Sequence, residues 1–165
     1  MKNLLSLALA ALVLAAGCKS FDKELADKMS ADLSKLEQLA PGFEKLGTDI
    51  GNIANLVNNV PEAMKTEDNA AYQNLLRMNT IMNQKYQASM AEYKDLTGKF
   101  QTLVANYSAG KLKTEDAQKE YETISQAVQG YADVLDRMNQ RIEAMQTEYA
   151  KMSASWNAEA EQNAQ

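Results

Sequence analysis

The sequence predicts an all-α protein, an elongated antiparallel three-helix bundle packed in the manner of a coiled coil. Three observations carry the prediction. Apolar residues recur at alternating spacings of 3 and 4 along two long stretches, the signature of a helical seam. Only 2 Pro and 7 Gly occur in 165 residues, too few for the turns of a β protein. The gaps between the periodic stretches are short, which makes consecutive helices antiparallel neighbours.

The first predicted helix starts at about residue 20 behind Ser20 as cap, and its apolar face is Phe21, Leu25, Met29, Leu33 and Leu36. Pro41-Gly42 is expected to break it, because Pro lacks the N–H that a helix interior needs. A second piece over 42–60 carries Phe43, Leu46, Ile50, Ile53, Val57 and Val60, and stops before Pro61. That piece is a poor helix former, holding Gly47, Gly51, Asn52, Asn55, Asn58 and Asn59, so packing must hold it.

The second helix is predicted over 66–107. Its seam is Tyr72, Leu75, Asn79, Met82, Tyr86, Ser89, Tyr93, Leu96, Phe100, Leu103 and Tyr107, with only Asn79 and Ser89 polar. The third is predicted over 114–160. Its seam is apolar or aromatic throughout: Tyr121, Ile124, Val128, Tyr131, Leu135, Met138, Ile142, Met145, Tyr149, Met152 and Trp156. Lys65-Thr66-Glu67-Asp68 and Lys113-Thr114-Glu115-Asp116 repeat one pattern, a hydroxyl cap followed by carboxylates at the positive end of a helix. Both are expected to start helices. The linker 108–113 carries Gly110, the residue that most easily ends a helix. One long hairpin that dimerises is the alternative arrangement.

The N-terminus adds an address. Lys2 precedes a run from Leu4 to Ala16 dominated by Leu and Ala. It falls short of the roughly 20 residues that span a bilayer and fits the apolar core of a secretory signal. Leu14-Ala15-Ala16-Gly17-Cys18 resembles the lipobox of bacterial lipoproteins, with Cys18 the only cysteine of the chain. The resemblance implies removal of residues 1–17, a diacylglyceryl group on the Cys18 thiol, and acylation of the new amine with palmitate or a similar chain. Residues 18–165 would then form a single domain anchored to a membrane without spanning it. Lys19 does not match the Asp that retains Gram-negative lipoproteins at the inner membrane, so the resemblance points to the outer membrane, on its periplasmic or its surface side. Antiparallel order sets the 108–113 turn beside this anchor, where Lys111 and Lys113 join Lys19 and Lys23 in what is expected to be a basic, membrane-facing end.

Composition narrows the chemistry. The net charge is −5, and loss of Lys2 with the signal makes it −6, which disfavours nucleic acid as a partner. The chain has no histidine, which removes the usual general base and the commonest metal ligand. Glu67-Asp68 and Glu115-Asp116 are paired carboxylates, but helix-dipole complementation accounts for them, and no enzyme is expected. Met78, Met82, Met138, Met145 and Met152 raise a Cu(I) carrier, since thioethers bind that ion. Their place on the seams reads better as core, so neither a metal nor a cofactor other than the covalent lipid on Cys18 is expected.

One column of the second helix is rich in tyrosine, whose hydroxyl needs a partner when buried. Its Tyr72, Asn79, Tyr86 and Tyr93, with Gly47 and Gly51 on the first segment, form a candidate partner groove. Gly47 and Gly51 are expected to face Asn79. The alternative is tyrosines at the bundle edge with wet hydroxyls, and Asn79 as a register device. The function expected is structural or adaptor work by a lipid-anchored bundle with an envelope protein partner, as a monomer or small homo-oligomer. A surface-exposed adhesin-type lipoprotein and a small-ligand or Cu(I) carrier are the alternatives.

Overall fold

A computed structural model of the protein describes residues 21–163, with side chains described through residue 156. Among the described residues there are four α-helices: α1 (Lys23–Glu37), α2 (Ala40–Asn58), α3 (Ala70–Ser108) and α4 (Thr114–Asn163), with a 3-10 turn at Glu62–Met64. α1 and α2 together make the first rod of an antiparallel three-rod bundle. At about 1.5 Å per residue, α3 is about 58 Å long and α4 about 75 Å. α1 begins beside the α3–α4 turn and runs alongside α4, so Asp32 meets Tyr121 and Gly42 meets Leu135. α3 runs the opposite way, pairing Tyr107 with Asp22 and Tyr93 with Leu36.

The core lies where the seams converge. Leu25, Met29 and Leu36 of α1 are buried, as are Phe43, Leu46, Ile50, Ile53 and Val57 of α2. Leu75, Met82, Tyr93, Phe100, Leu103, Val104 and Tyr107 face them from α3. Tyr121, Met138, Ile142, Met145 and Met152 do so from α4. Burying one such aliphatic or aromatic side chain contributes about 1.5–3 kcal/mol. α2 buries five along its length, which offsets its Gly- and Asn-rich sequence.

Three boundaries differ from the sequence reading, each through local hydrogen bonding. The first rod breaks at Gln38 and Leu39, ahead of Pro41-Gly42, and Pro41 lies in the first turn of α2. There its missing N–H is one that the helix start leaves unpaired anyway. α1 is capped by Asp22, whose Oδ1 accepts the Leu25 N–H at 3.1 Å; Ser20, the expected cap, lies outside the described residues. α3 starts at residue 70 instead of 66. Asn69 takes the cap, its Oδ1 accepting the Tyr72 N–H at 3.1 Å, while the Thr66 carbonyl accepts from the Gln73 amide. The repeated Lys-Thr-Glu-Asp pattern thus starts a helix at Thr114 but not at Thr66, because Asn69 is a strong competing cap three residues on.

The α3–α4 turn closes as a Schellman motif. Lys111 N–H donates to Asn106 O at 2.9 Å and Gly110 N–H to Tyr107 O at 2.9 Å. Gly110 sits at φ 67, a left-handed conformation that costs glycine little.

Two glycines one turn apart on α2 have opposite surroundings. A Cβ on Gly47 would overlap the Tyr86 hydroxyl and lie 2.8 Å from Tyr86 Cζ, whereas one on Gly51 would meet nothing within 4 Å. Gly47→Ala should therefore destabilise by about 1–2 kcal/mol, the overpacking cost less the gain in helix propensity. Gly51→Ala should stabilise by about 0.5–1 kcal/mol. Urea denaturation of both variants checks this; shifts of the same sign would mean that Tyr86 is not seated on Gly47.

Candidate functional site

The candidate lipid attachment residue, Cys18, lies outside the described residues. The described chain begins three positions later at Phe21, and its first residues are clasped to the α3–α4 turn. Asp22 N–H donates to the Tyr107 hydroxyl at 2.7 Å. That hydroxyl also lies 3.2 Å from Asp22 O and 3.0 Å from Thr114 Oγ1, and it donates its single proton to one of them. The Phe21 ring stacks on Tyr107 with centroids 5.2 Å apart and remains 40% exposed. One side chain from the last turn of α3 thus joins the cap of α1 to the first residue of α4.

The expected basic end is charge-mixed. Lys23 and Lys113 share their recess with Asp22, Glu24 and Glu115, and Lys23 is paired with Asp27 at 2.5 Å. The helix-start carboxylates of α1 and α4 converge with the lysines because both helices begin at this pole.

The tyrosines hold the first rod by their hydroxyls, and only part of their column is open. Tyr93 is buried and donates to Leu36 O at 3.0 Å, a second bond to a carbonyl that also accepts the Leu39 N–H at 3.0 Å where the rod breaks. Its ring stacks on Phe43 at 4.7 Å, and Tyr131 approaches both edge-on. Tyr121 on α4 donates to Asp32 Oδ2 at 2.5 Å, with the Lys28 ammonium 5.6 Å from its ring centre. Tyr107 closes the start of α1, so three tyrosine hydroxyls reach it near its start, middle and end. Burial pushes the Tyr93, Tyr121 and Tyr131 hydroxyls up; the Asp32 carboxylate adds to this at Tyr121, and Glu92 and Asp95 add to it at Tyr131. They stay protonated at neutral pH. The Lys35 ammonium at 2.7 Å, followed by the Tyr121 hydroxyl, holds Asp32 below the ordinary carboxylate range. A depressed carboxyl stabilises the fold above its unfolded value and loses that contribution as pH falls through the folded one. The Asp32 contribution is present at neutral pH and fades in acid.

The other groove residues are distributed unevenly. Tyr72, Asn79 and Tyr86 are half-buried, Gly47 is covered by Tyr86, and Gly51 is exposed. The neighbour of Gly47 is Tyr86, one heptad beyond the expected Asn79, because the register along α3 follows the Tyr93–Leu36 and Tyr107–Asp22 bonds. Sequence reading missed Asp22, Asp32 and Tyr121 as partners in these bonds. The available signal was a seam tyrosine within reach of an acidic first-rod residue.

Of the methionines, Met82, Met138, Met145 and Met152 are buried in the core, and Met78 packs against it. Among the described residues no group of three or more His, Cys, Asp or Glu is placed to hold a metal. No helix among them is long and apolar enough to cross a membrane. No protein-family model, no curated protein and no solved structure matches the chain.

Asn79 Oδ1 is buried without a hydrogen-bond partner among the described residues. An unsatisfied acceptor costs about 1–3 kcal/mol, whereas an apolar replacement of similar shape carries no such cost. Asn79→Leu should raise stability by about 1–2 kcal/mol in thermal or urea unfolding. A loss of stability would show that Asn79 is satisfied and that its polarity is needed where it stands.

Proposed function

We propose that the protein is a lipid-anchored component of the bacterial envelope whose bundle serves as a spacer or adaptor, held to the outer membrane through Cys18. The observation that carries this reading is the clasp at Tyr107. Only two residues separate Cys18 from Phe21, so at about 3.3–3.6 Å per residue the Cys18 backbone can lie no more than about 11 Å from that of Phe21, whose ring stacks on Tyr107 at the α3–α4 turn. An anchor on so short a connection holds that pole at the lipid surface and lets the roughly 58 Å body reach away from it. Half-exposed Phe21 supports the same orientation, since aromatic rings favour the membrane–water interface. Two or more acyl chains hold a protein firmly, at about 0.8 kcal/mol per buried CH₂.

The far pole, formed by Pro61, the 3-10 turn and the end of α4, is where a partner in the envelope or on a host surface would be met. Protease accessibility on intact cells separates a periplasmic adaptor from an adhesin. The core placement of Met82, Met138, Met145 and Met152 speaks against a Cu(I) carrier.

Metabolic labelling with a clickable palmitate tests the anchor. Label should enter the wild type and be lost in Cys18→Ser, which should also accumulate as the uncleaved precursor. Equal labelling of both would overturn the reading. Spin labels at positions 110 and 62, on protein reconstituted in vesicles with a lipid-bound relaxation agent, test the orientation. Relaxation should be stronger at 110; stronger relaxation at 62 would reverse the rod.

A further inference from the structure

The groove between α3 and α4 carries a charge imbalance confined to one segment. A recess of about 260 Å³ there is lined by Lys85 and Glu92 of α3 and Arg137 and Arg141 of α4. Its apolar lining includes Val134 and the edges of Met82 and Met138. Three cations face a single carboxylate, giving a local charge of +2 on a protein whose net charge is −5. Among the described residues none of the three cations is in an ion pair within 4 Å, although five such pairs form elsewhere. The next segment of the same groove is balanced: Lys94 and Lys99 are offset by Asp95 and Glu120, and Lys99 is bonded to Asp95 at 2.6 Å. The imbalance is therefore local and not a property of the whole face.

Arg137 and Arg141 are one helical turn apart, so both guanidinium groups rise from one side of α4, with Lys85 on α3 across the groove. Planar guanidinium groups bind phosphoryl oxygens in two-point fashion, and an ammonium adds a point charge. We propose that this recess binds a phosphomonoester carried on an apolar body. Its phosphoryl group meets Lys85, Arg137 and Arg141, and its apolar part lies over Val134 and the methionine edges. The charge of a phosphomonoester near neutral pH, about −1.5 to −2, matches the +2 of the recess. The apolar lining selects a phosphate with a hydrocarbon neighbour over the free ion. Exposed Ile81, one turn from Lys85 on α3, extends the apolar surface at the rim. This site stands independently of the anchor at Cys18.

Equilibrium dialysis of the purified protein tests the proposal with three radiolabelled probes. These are inorganic phosphate, dihexanoyl phosphatidic acid below its micelle-forming concentration, and dihexanoyl phosphatidylcholine. The phosphatidic acid should bind at one equivalent, about tenfold or more tighter than inorganic phosphate, with the phosphatidylcholine weaker than both. Arg137→Gln/Arg141→Gln should weaken phosphatidic acid binding about tenfold or more. Lys119→Gln/Lys151→Gln, which removes the same charge from exposed positions elsewhere on α4, should leave it unchanged. Thermal unfolding by circular dichroism confirms that both pairs keep the fold, as expected of exposed side chains. Failure to bind phosphatidic acid, equal binding of the phosphatidylcholine, or equal losses in the two double variants would overturn the site.

Discussion

The Tyr107 hydroxyl is the constraint on which the arrangement of the rods depends. Beside it, the start of α1 meets the other rods through apolar packing, the stacking of Phe21 on Tyr107 and the Lys28 ammonium over the Tyr121 ring. A single oxygen on the last turn of α3 accepts the Asp22 N–H and sits against Thr114, so three helix ends share one point. A hydrogen bond of this kind contributes about 0.5–1.5 kcal/mol, small beside the core. Its importance is geometric. It sets the register between the first rod and the α3–α4 hairpin, and it places the N-terminal direction of the chain at one known pole.

The same device recurs along the rod. Tyr121 reaches Asp32 and Tyr93 reaches the Leu36 carbonyl, so α1 is fixed at its start, middle and end by tyrosines from the other two rods. Leu, which fills most coiled-coil seams, would supply the apolar area but could not donate to the Leu36 carbonyl, which takes the Tyr93 hydroxyl as well as the Leu39 N–H where α1 ends. Tyr supplies both. Beyond the break, α2 is held in a different way, by Phe43 against Tyr93 and Tyr131 and by Tyr86 seated on Gly47. A segment with weak helix propensity is thus kept helical by contacts from two neighbours.

The bundle was legible in the sequence because its information is periodic. The seams of α3 and α4, with Gly110 between them, predict two antiparallel helices, and they are found. Boundaries set by one side chain against one backbone group were less legible. Asn69 displaced Thr66 as a cap, Asp22 took the role expected of Ser20, and Pro41 entered the first turn of α2 instead of the break. Register was also hidden, because a shift of one heptad leaves the apolar pattern unchanged while moving Tyr86 onto Gly47 in place of Asn79. The pole near the N-terminus read as basic because only its lysines were counted; helix starts bring carboxylates, and two start there. The cluster of Lys85, Arg137 and Arg141 lies on two helices about 50 residues apart, and only the fold unites it.

Hydrogen exchange followed by mass spectrometry on Tyr107→Phe tests the central claim most directly. The substitution keeps the ring that stacks with Phe21 and removes only the hydroxyl. Amides of residues 22–29 should lose protection by about tenfold, the equivalent of one hydrogen bond, while those of 121–145 change little. Unchanged protection over 22–29, or an equal loss over both segments, would contradict the clasp as the interaction that ties the first rod to the turn.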